Sequence, residues 1–193
     1  MIINAAIIGT GRAASVWASY LKSNSNYNLI SCHSRDNDRG NIFAKSNHCL
    51  RVNNIDEIID NKEIDLIIVA TEPKRRNFVS KIIKNKKNLI VEKPLSLNFL
   101  ELKDIYLEYA NHNTICGSGL NRHYDSFLDK IKLDIKQKII GKIHSVYYLG
   151  FHQGNKNKKQ LSKKIIENQG DLIIGGLVHK FDQLNYIFGS PIS

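Results

Sequence analysis

The chain has 193 residues, of which 42% are hydrophobic, and its formal net charge is +10. This length suits one domain or slightly more, no apolar run approaches the roughly 18 residues of a membrane-spanning helix, and the N-terminus lacks the basic segment of a signal peptide. The three cysteines, Cys32, Cys49 and Cys116, have no metal-like spacing and lie in or beside apolar runs. These features exclude a membrane-spanning helix and predict a globular, cytoplasmic protein with reduced, buried thiols and no metal site.

The positive charge raises the question of nucleic-acid binding. The lysines are scattered among asparagines and isoleucines, and their densest cluster, residues 156–164, contains no aromatic side chain on which a base would stack. The favoured interpretation of this charge is therefore a solvated surface.

The first predicted element is an isoleucine-rich strand over residues 2–8, followed directly by Gly9-x-Gly11-x-x-Ala14 and a helical pattern. Gly9 permits a tight turn, Gly11 leaves room for a pyrophosphate, and Ala14 lets the new helix lie close to the sheet. The free N–H groups at the start of that helix favour an anion. This context predicts a dinucleotide site whose first contacts are Gly9, Thr10, Gly11, Arg12, Ala13 and Ala14.

Strands and helices then alternate up to about residue 120. Further strands are predicted over residues 27–33, 50–52, 64–70, 88–91 and 114–117. Helices are predicted over residues 12–22, 36–47, 55–60, 73–84 and 98–111. Alternation at this spacing predicts an α/β fold with a doubly wound parallel sheet.

The pattern changes after this series. An amphipathic helix is predicted over residues 125–138, a strand over 143–150, a lysine-rich loop and helix up to about 167, and an apolar helix over 171–188. No helical partner follows the strand over 143–150. We therefore place a boundary near residues 117–121 and predict two domains, 1–120 and 121–193.

The residues after the second strand bear on the choice of cofactor. Enzymes that use NAD place a carboxylate there to bind the ribose 2′-hydroxyl. In this chain the strand ends in His33-Ser34-Arg35, and Asp36 comes only afterwards. Because a hydroxyl and a guanidinium suit a 2′-phosphate, Ser34 and Arg35 favour NADP over NAD. The alternative is that Asp36 turns inward.

Glu92-Lys93-Pro94 follows a buried strand, so it is predicted at the carboxyl edge of the sheet, where open α/β folds bind ligands. A lysine at this edge can donate a hydrogen bond or a proton at a hydride-transfer centre. A surface lysine before a proline turn fits the same spacing equally well.

Four further segments accompany the glycine motif: Val69-Ala70-Thr71 with Pro73, Val91-Glu92-Lys93-Pro94-Leu95-Ser96, Asn121-Arg122, and His179-x-x-Asp182 ahead of Ile187-Phe188-Gly189. Together they resemble the glucose–fructose oxidoreductase / inositol dehydrogenase / MocA (Gfo/Idh/MocA) family of sugar oxidoreductases. The resemblance covers the whole chain. It implies an N-terminal NAD(P)-binding Rossmann domain and the start of an α+β substrate domain. It also implies hydride transfer between nicotinamide and a sugar or sugar-derived alcohol or ketone.

The resemblance implies roles for individual residues. Lys93 would contact the reacting hydroxyl and the nicotinamide ribose, and the bond before Pro94 is expected to be cis. His179 would act as acid and base on the sugar hydroxyl, with Asp182 orienting it one turn later. Further implied cofactor contacts are Ala70, Thr71, Glu92 and Asn121. From the residues alone, a histidine in an apolar helix is also consistent with a core position.

The chain departs from the family in two respects. Gly175 stands where many relatives have an aspartate four residues before the histidine, so the proton relay is incomplete. Family members are also longer, and the broad sheet of their second domain walls the substrate site and often forms the dimer. An unpaired strand over residues 143–150 predicts either a truncated product or a partner chain that covers this surface. The alternative to an oxidoreductase is a non-catalytic nucleotide-binding module.

Overall fold

The computed structural model describes residues 2–149 and 169–190, with side chains from residue 177 onward in the second range. The chain divides into two compact units, Met1–Gly119 and Leu120–Ser193.

The first unit is a six-stranded sheet with helices on both faces. Its strands are β1 (Ile3–Ile8), β2 (Tyr27–His33), β3 (Leu50–Val52), β4 (Leu66–Val69), β5 (Asn88–Val91) and β6 (Cys116–Ser118). Its α-helices are α1 (Arg12–Ser23), α2 (Asn37–Asn47), α3 (Asp56–Ile59), α4 (Val79–Lys84) and α5 (Phe99–Ala110).

All neighbouring strands are parallel, and their order is β3-β2-β1-β4-β5-β6. The chain runs outward from β1 to β3 and then resumes at β4 on the other side of β1, so the direction of winding reverses between β1 and β4. Open α/β sheets bind ligands in the crevice at the carboxyl ends of such a strand pair. The predicted doubly wound Rossmann sheet is confirmed.

The hydrophobic core lies on both faces of the central strands. In β1, Ala6 and Ile8 pack on the side of α3, α4 and α5, whereas Ala5 and Ile7 pack on the side of α1 and α2. All four side chains are fully buried. A continuous apolar strand is stable only where both faces are covered, which explains why β1 does not alternate between polar and apolar residues.

The helix predicted over residues 73–84 is interrupted, so that prediction is wrong in its middle. Pro73–Arg75 forms a 3-10 helix, and α4 begins only at Val79. Arg76 leaves the helical conformation, with φ −117° and ψ 21°, and its side chain is only 2% exposed. Its guanidinium donates hydrogen bonds to backbone carbonyls of other segments, and these tertiary contacts override the local helical preference.

The second unit contains three described helices: a 3-10 helix (Asn121–Tyr124), α6 (Ser126–Lys136) and α7 (Gln169–Phe188). The two α-helices confirm the predictions over residues 125–138 and 171–188. The strand predicted over residues 143–150 does not form over residues 143–149. A strand needs a neighbour for its backbone groups, and no described residue pairs with this segment, so Tyr147 and Leu149 are 84% and 80% exposed.

Gly150 and the lysine-rich loop and helix predicted up to about residue 167 lie outside the described residues. Within the described ranges, no helix has both the length and the apolar character that crossing a membrane requires.

Candidate functional site

The turn after β1 has a conformation that requires glycine. Gly9 has φ +105°, and a Cβ atom there would lie 2.8 Å from the carbonyl oxygen of Ala70. The Gly9 N–H also donates a 2.9 Å hydrogen bond to the carbonyl of His33, at the end of β2. The turn is therefore held between the ends of β4 and β2, at the point where the sheet reverses its winding.

The start of α1 faces open space. Gly11 is the N-cap residue, no side chain caps the helix, and its first turn contains no acidic residue. A Cβ atom built on Gly11 would meet no atom within 4 Å other than those of its chain neighbours. Ala14 is fully buried against Ala5 and Ile7 of β1, so the helix lies close to the sheet. A helix start with uncapped N–H groups, a positive dipole end and free space fits a diphosphate.

A cleft extends from this turn across the carboxyl ends of β1, β2 and β4. Seven of the residues predicted to bind the cofactor line it: Gly9, Thr10, Gly11, Ser34, Arg35, Ala70 and Thr71. Arg12, Ala13 and Ala14 do not line the cleft but form the first turn of α1 beside it. The turn, the end of β2 and the end of β4 thus come together as the motif spacing predicts.

The residues after β2 present a hydroxyl, a guanidinium and a carboxylate to the cleft, because Ser34, Arg35 and Asp36 all line it. Ser34 is buried, and its Oγ accepts a 2.8 Å hydrogen bond from the hydroxyl of Thr10. Asp36 caps α2: Oδ1 accepts from the backbone N–H of Arg39 at 3.0 Å, and Oδ2 accepts from the Arg39 Nε at 2.9 Å. The backbone hydrogen bond from Arg39 is the main cause that lowers the pKa of Asp36.

Two cationic residues of the cleft were missed by the sequence reasoning. Arg39 and Arg75 line the same cleft as Arg35, so three guanidinium groups of the described residues border it, together with the carboxylates of Asp36 and Glu72, with which Arg39 and Arg75 form ion pairs. Arg39 lies in the first turn of α2, and Arg75 ends the 3-10 helix after β4. The sequence could have pointed to both arginines, because each follows soon after the carboxyl end of a strand that borders the cleft.

Thr71 carries a polar group that suits a ligand. Its hydroxyl oxygen is buried and has no hydrogen-bond partner within the part of the chain that the structure describes. A buried, unsatisfied hydroxyl costs about 1–3 kcal/mol. Thr71 lines the cleft, but its hydroxyl oxygen is shielded from solvent, so the side chain would have to rotate to present that oxygen to a ligand.

Glu92 and Lys93 lie at the end of β5 and do not line the cleft. One carboxylate oxygen of Glu92, Oε1, accepts a 2.7 Å hydrogen bond from the indole Nε1 of Trp17 in α1. Lys93 is half-buried, and the bond between Lys93 and Pro94 is cis, as expected from the resemblance.

Asn121 and His179 belong to the second unit. Asn121 is exposed, and His179 is half-buried with a buried Nδ1 atom. The Oδ2 atom of Asp182 lies 2.9 Å from the Nδ1 atom of His123, which belongs to the 3-10 helix. The sequence reasoning missed His123, although it directly follows the Asn121-Arg122 motif.

Residues 3–120 match the sequence profile of the oxidoreductase family with an NAD-binding Rossmann fold, known as Gfo/Idh/MocA. The chain belongs to this family. The match covers all six strands of the Gfo/Idh/MocA Rossmann sheet and the cleft at its carboxyl edge.

Several curated proteins are similar to this chain. The 2,7-anhydro-N-acetylneuraminate hydratase of Escherichia coli is 23% identical over 189 residues, which are 97% of this chain and 50% of that protein. The scyllo-inositol 2-dehydrogenase (NAD(+)) of Bacillus subtilis is 28% identical over 138 residues, 71% of this chain and 39% of that protein.

Among solved structures, the scyllo-inositol dehydrogenase of Lactobacillus casei with bound NAD(H) and scyllo-inositol has the same fold, with a TM-score of 0.84 at 18% identity. The match covers 98% of this chain and 57% of the chain of that dehydrogenase. The chain spans about half the length, or less, of the curated relatives it matches.

Proposed function

We propose that this chain is the nucleotide-binding part of an NAD(P)-dependent oxidoreductase that acts on a sugar or sugar-derived alcohol or ketone. The observation that carries the proposal is the turn from Gly9 to Gly11, which holds an uncapped helix start against open space at the winding reversal of the sheet. Two similar proteins are named for scyllo-inositol, a sugar-like polyol. Their names support this substrate class.

The cofactor would be held by its diphosphate at the start of α1 and would supply a nicotinamide ring that takes up or releases hydride. Of the two nicotinamide nucleotides we propose NADP. Arg35, Arg39 and Arg75 border the cleft, and guanidinium groups bind phosphate in a bidentate manner. Asp36 lines the same cleft, but it accepts hydrogen bonds from the backbone N–H and the Nε of Arg39, so an adjacent guanidinium offsets its charge.

For the chemical step we propose Lys93 and His179. In oxidation of an alcohol, the carbon loses hydride to the nicotinamide and the hydroxyl loses a proton. Lys93, whose ammonium group donates hydrogen bonds, would orient that hydroxyl, and His179 would accept the proton. Glu92 and Asn121 are proposed to contact the cofactor. The hydrogen bond from Trp17 holds the Glu92 carboxylate in place.

We also propose that residues 121–193 begin the substrate domain and that a partner chain, such as a second copy, completes the wall of the substrate site. The support is that the chain covers only about half the length of its relatives.

One observation favours a second candidate function. Gly175 stands in α7 where many family members have an aspartate that relays the proton, so a non-catalytic, nucleotide-binding module is the alternative. Nucleotide binding without turnover across a panel of polyols and their ketones would favour this module.

The test of the nucleotide site uses Gly11, because a Cβ atom there would meet no residue other than its chain neighbours within 4 Å. Gly11→Asp places a carboxylate where the diphosphate would lie, while Gly11→Asn has the same shape without the charge. Both are good N-cap residues, so α1 should remain folded. Titration of NADPH followed by nicotinamide fluorescence should show wild-type binding, weaker binding to the Asn variant and none to the Asp variant. Equal affinity of the Asp and Asn variants would contradict the proposed site.

A further inference from the structure

Arg76 is a buried cation that the proposed chemistry does not use. It lies between the 3-10 helix and α4, and only 2% of it is exposed. Its Nε donates a 3.1 Å hydrogen bond to the carbonyl oxygen of Thr71, which also accepts from Nη2. Burial lowers the pKa of Arg76 to about 10, against the opposing effect of Glu92 and Glu101, so the group remains a cation at neutral pH.

The other end of the guanidinium reaches the segment that contains Lys93. Nη1 donates to the carbonyl oxygen of Glu92 and to the carbonyl oxygen of Pro94. Glu92 directly precedes Lys93 in the chain and Pro94 directly follows it. A single side chain therefore connects the end of β4, at Thr71, to both sides of Lys93.

Only arginine has the geometry for this arrangement. A guanidinium is a planar fork with five N–H donors, whereas a lysine ammonium is a single point that cannot reach three separated carbonyls. Burying a charge is costly unless hydrogen bonds compensate for lost water, and here backbone carbonyls provide them. The interruption of the helix at Arg76 is a further local cost of placing the side chain there.

We infer that Arg76 is a positioning residue: it fixes the Glu92–Pro94 segment to the end of β4 and thereby sets the place of the Lys93 amino group. The catalytic meaning of this role rests on the proposed function, in which Lys93 orients the reacting hydroxyl. The placement of Lys93 itself is measurable without cofactor or substrate.

The test measures how fast an amine-reactive acylating reagent modifies individual lysines, read by peptide mass spectrometry. The variants are Arg76→Gln, which loses the charge and the fork, and Arg76→Lys, which keeps the charge only. Lys74→Gln is the matched control, because it removes one exposed positive charge from the same 3-10 helix. Lys87 is an internal standard, since its Nζ donates to the carbonyls of Asn61 and Ile64, away from Arg76.

Release of the segment should raise the labelling rate of Lys93 about fivefold or more in Arg76→Gln, and by a smaller factor in Arg76→Lys. Lys87 should keep its rate in every variant, and Lys74→Gln should leave Lys93 unchanged. An unchanged Lys93 rate in the Arg76 variants would overturn the inference. So would a parallel rise at Lys87, because that result indicates general loosening rather than local positioning.

A measurement on the wild-type protein covers the case in which the Arg76 variants do not fold. The Arg76 Nε–H should exchange slowly with solvent in a 15N NMR experiment if the guanidinium is bound as described. Rapid exchange of that hydrogen would overturn the inference.

Binding of 2′-phospho-ADP, which carries the diphosphate and the 2′-phosphate of NADP but lacks nicotinamide, separates the two proposals. Failure of wild-type protein to bind it would count against the nucleotide site and leave the Lys93 labelling result standing. With this binding preserved, a fall in kcat of the Arg76 variants greater than the change in KM would show that the positioning of Lys93 also affects the catalysed reaction.

Discussion

The indole Nε1 of Trp17 donates a 2.7 Å hydrogen bond to the Oε1 atom of Glu92. Trp17 lies in the helix that follows the glycine turn, and Glu92 follows β5, so this bond links two motifs that are 75 residues apart. A Cβ atom added to Gly119 would lie 3.1 Å from the Glu92 carboxylate, so the end of β6 also confines it.

We expect Trp17→Phe to destabilise the protein by about 1–3 kcal/mol, because a half-buried carboxylate oxygen would lose its donor. Urea unfolding followed by circular dichroism measures this change in the free energy of unfolding. Val16→Ala is the control, since Val16 is 65% exposed in the same helix and should change stability by less than about 0.5 kcal/mol. Equal unfolding midpoints for Trp17→Phe and wild type would refute the structural role of this bond.

The arginines of the cleft predict a preference between nicotinamide nucleotides. Arg75→Ala should weaken NADPH binding roughly tenfold and leave NADH binding nearly unchanged, because only NADPH carries the 2′-phosphate that a guanidinium would bind. Fluorescence titrations with both nucleotides at low ionic strength test this. Lys45→Ala, an exposed residue in the last turn of α2, controls for loss of general positive charge. Tighter binding of NADH than NADPH to the wild-type protein would show the preference to be wrong.

The Asp36 cap predicts a pH dependence of stability. Hydrogen bonds from Arg39 lower the pKa of Asp36 in the folded protein, so the folded state favours the ionised form. The resulting stabilisation is present above the pKa of the unfolded chain, near 4, and is lost as the pH falls through the lowered value.

Asp36→Asn keeps a good N-cap without the charge, so it should lower the urea midpoint near neutral pH. The difference between the variant and wild type should shrink as the pH falls below about 4, where the unfolded carboxylate takes up a proton, and should disappear at the lower pH where the folded carboxylate does so too. A difference that stays constant across this range would mean that the charge of Asp36 does not contribute to stability.

The strand pattern of the first unit was predictable because it depends on local residue type. β2 has the predicted bounds of residues 27–33, and the predicted dinucleotide turn has the left-handed Gly9 that a tight exit from β1 requires. Both features follow from apolar strand residues and from the steric freedom of glycine.

The errors arise where distant residues decide the local structure. The helix predicted over residues 73–84 breaks at Arg76 because that side chain binds carbonyls at Glu92 and Pro94, 16 and 18 positions along the chain. The strand predicted over 143–150 has β-forming residues but no described neighbour that would pair with residues 143–149. The approach of Arg39 and Arg75 to the cleft likewise depends on how their helices pack, which the sequence spacing does not reveal.

The two glycines of the turn differ in a way that a pair of substitutions can separate. Gly9→Ala should destabilise the protein by more than about 1 kcal/mol, because φ +105° disfavours a side chain and the new Cβ would lie 2.8 Å from the Ala70 carbonyl oxygen. Gly11→Ala should change stability by less than about 0.5 kcal/mol, since Gly11 has φ −87° and open space around it. Urea unfolding gives both values under the same conditions. Equal losses in the two variants would mean that the backbone at Gly9 is not held against β4, and the close approach that shapes the cleft would then be wrong.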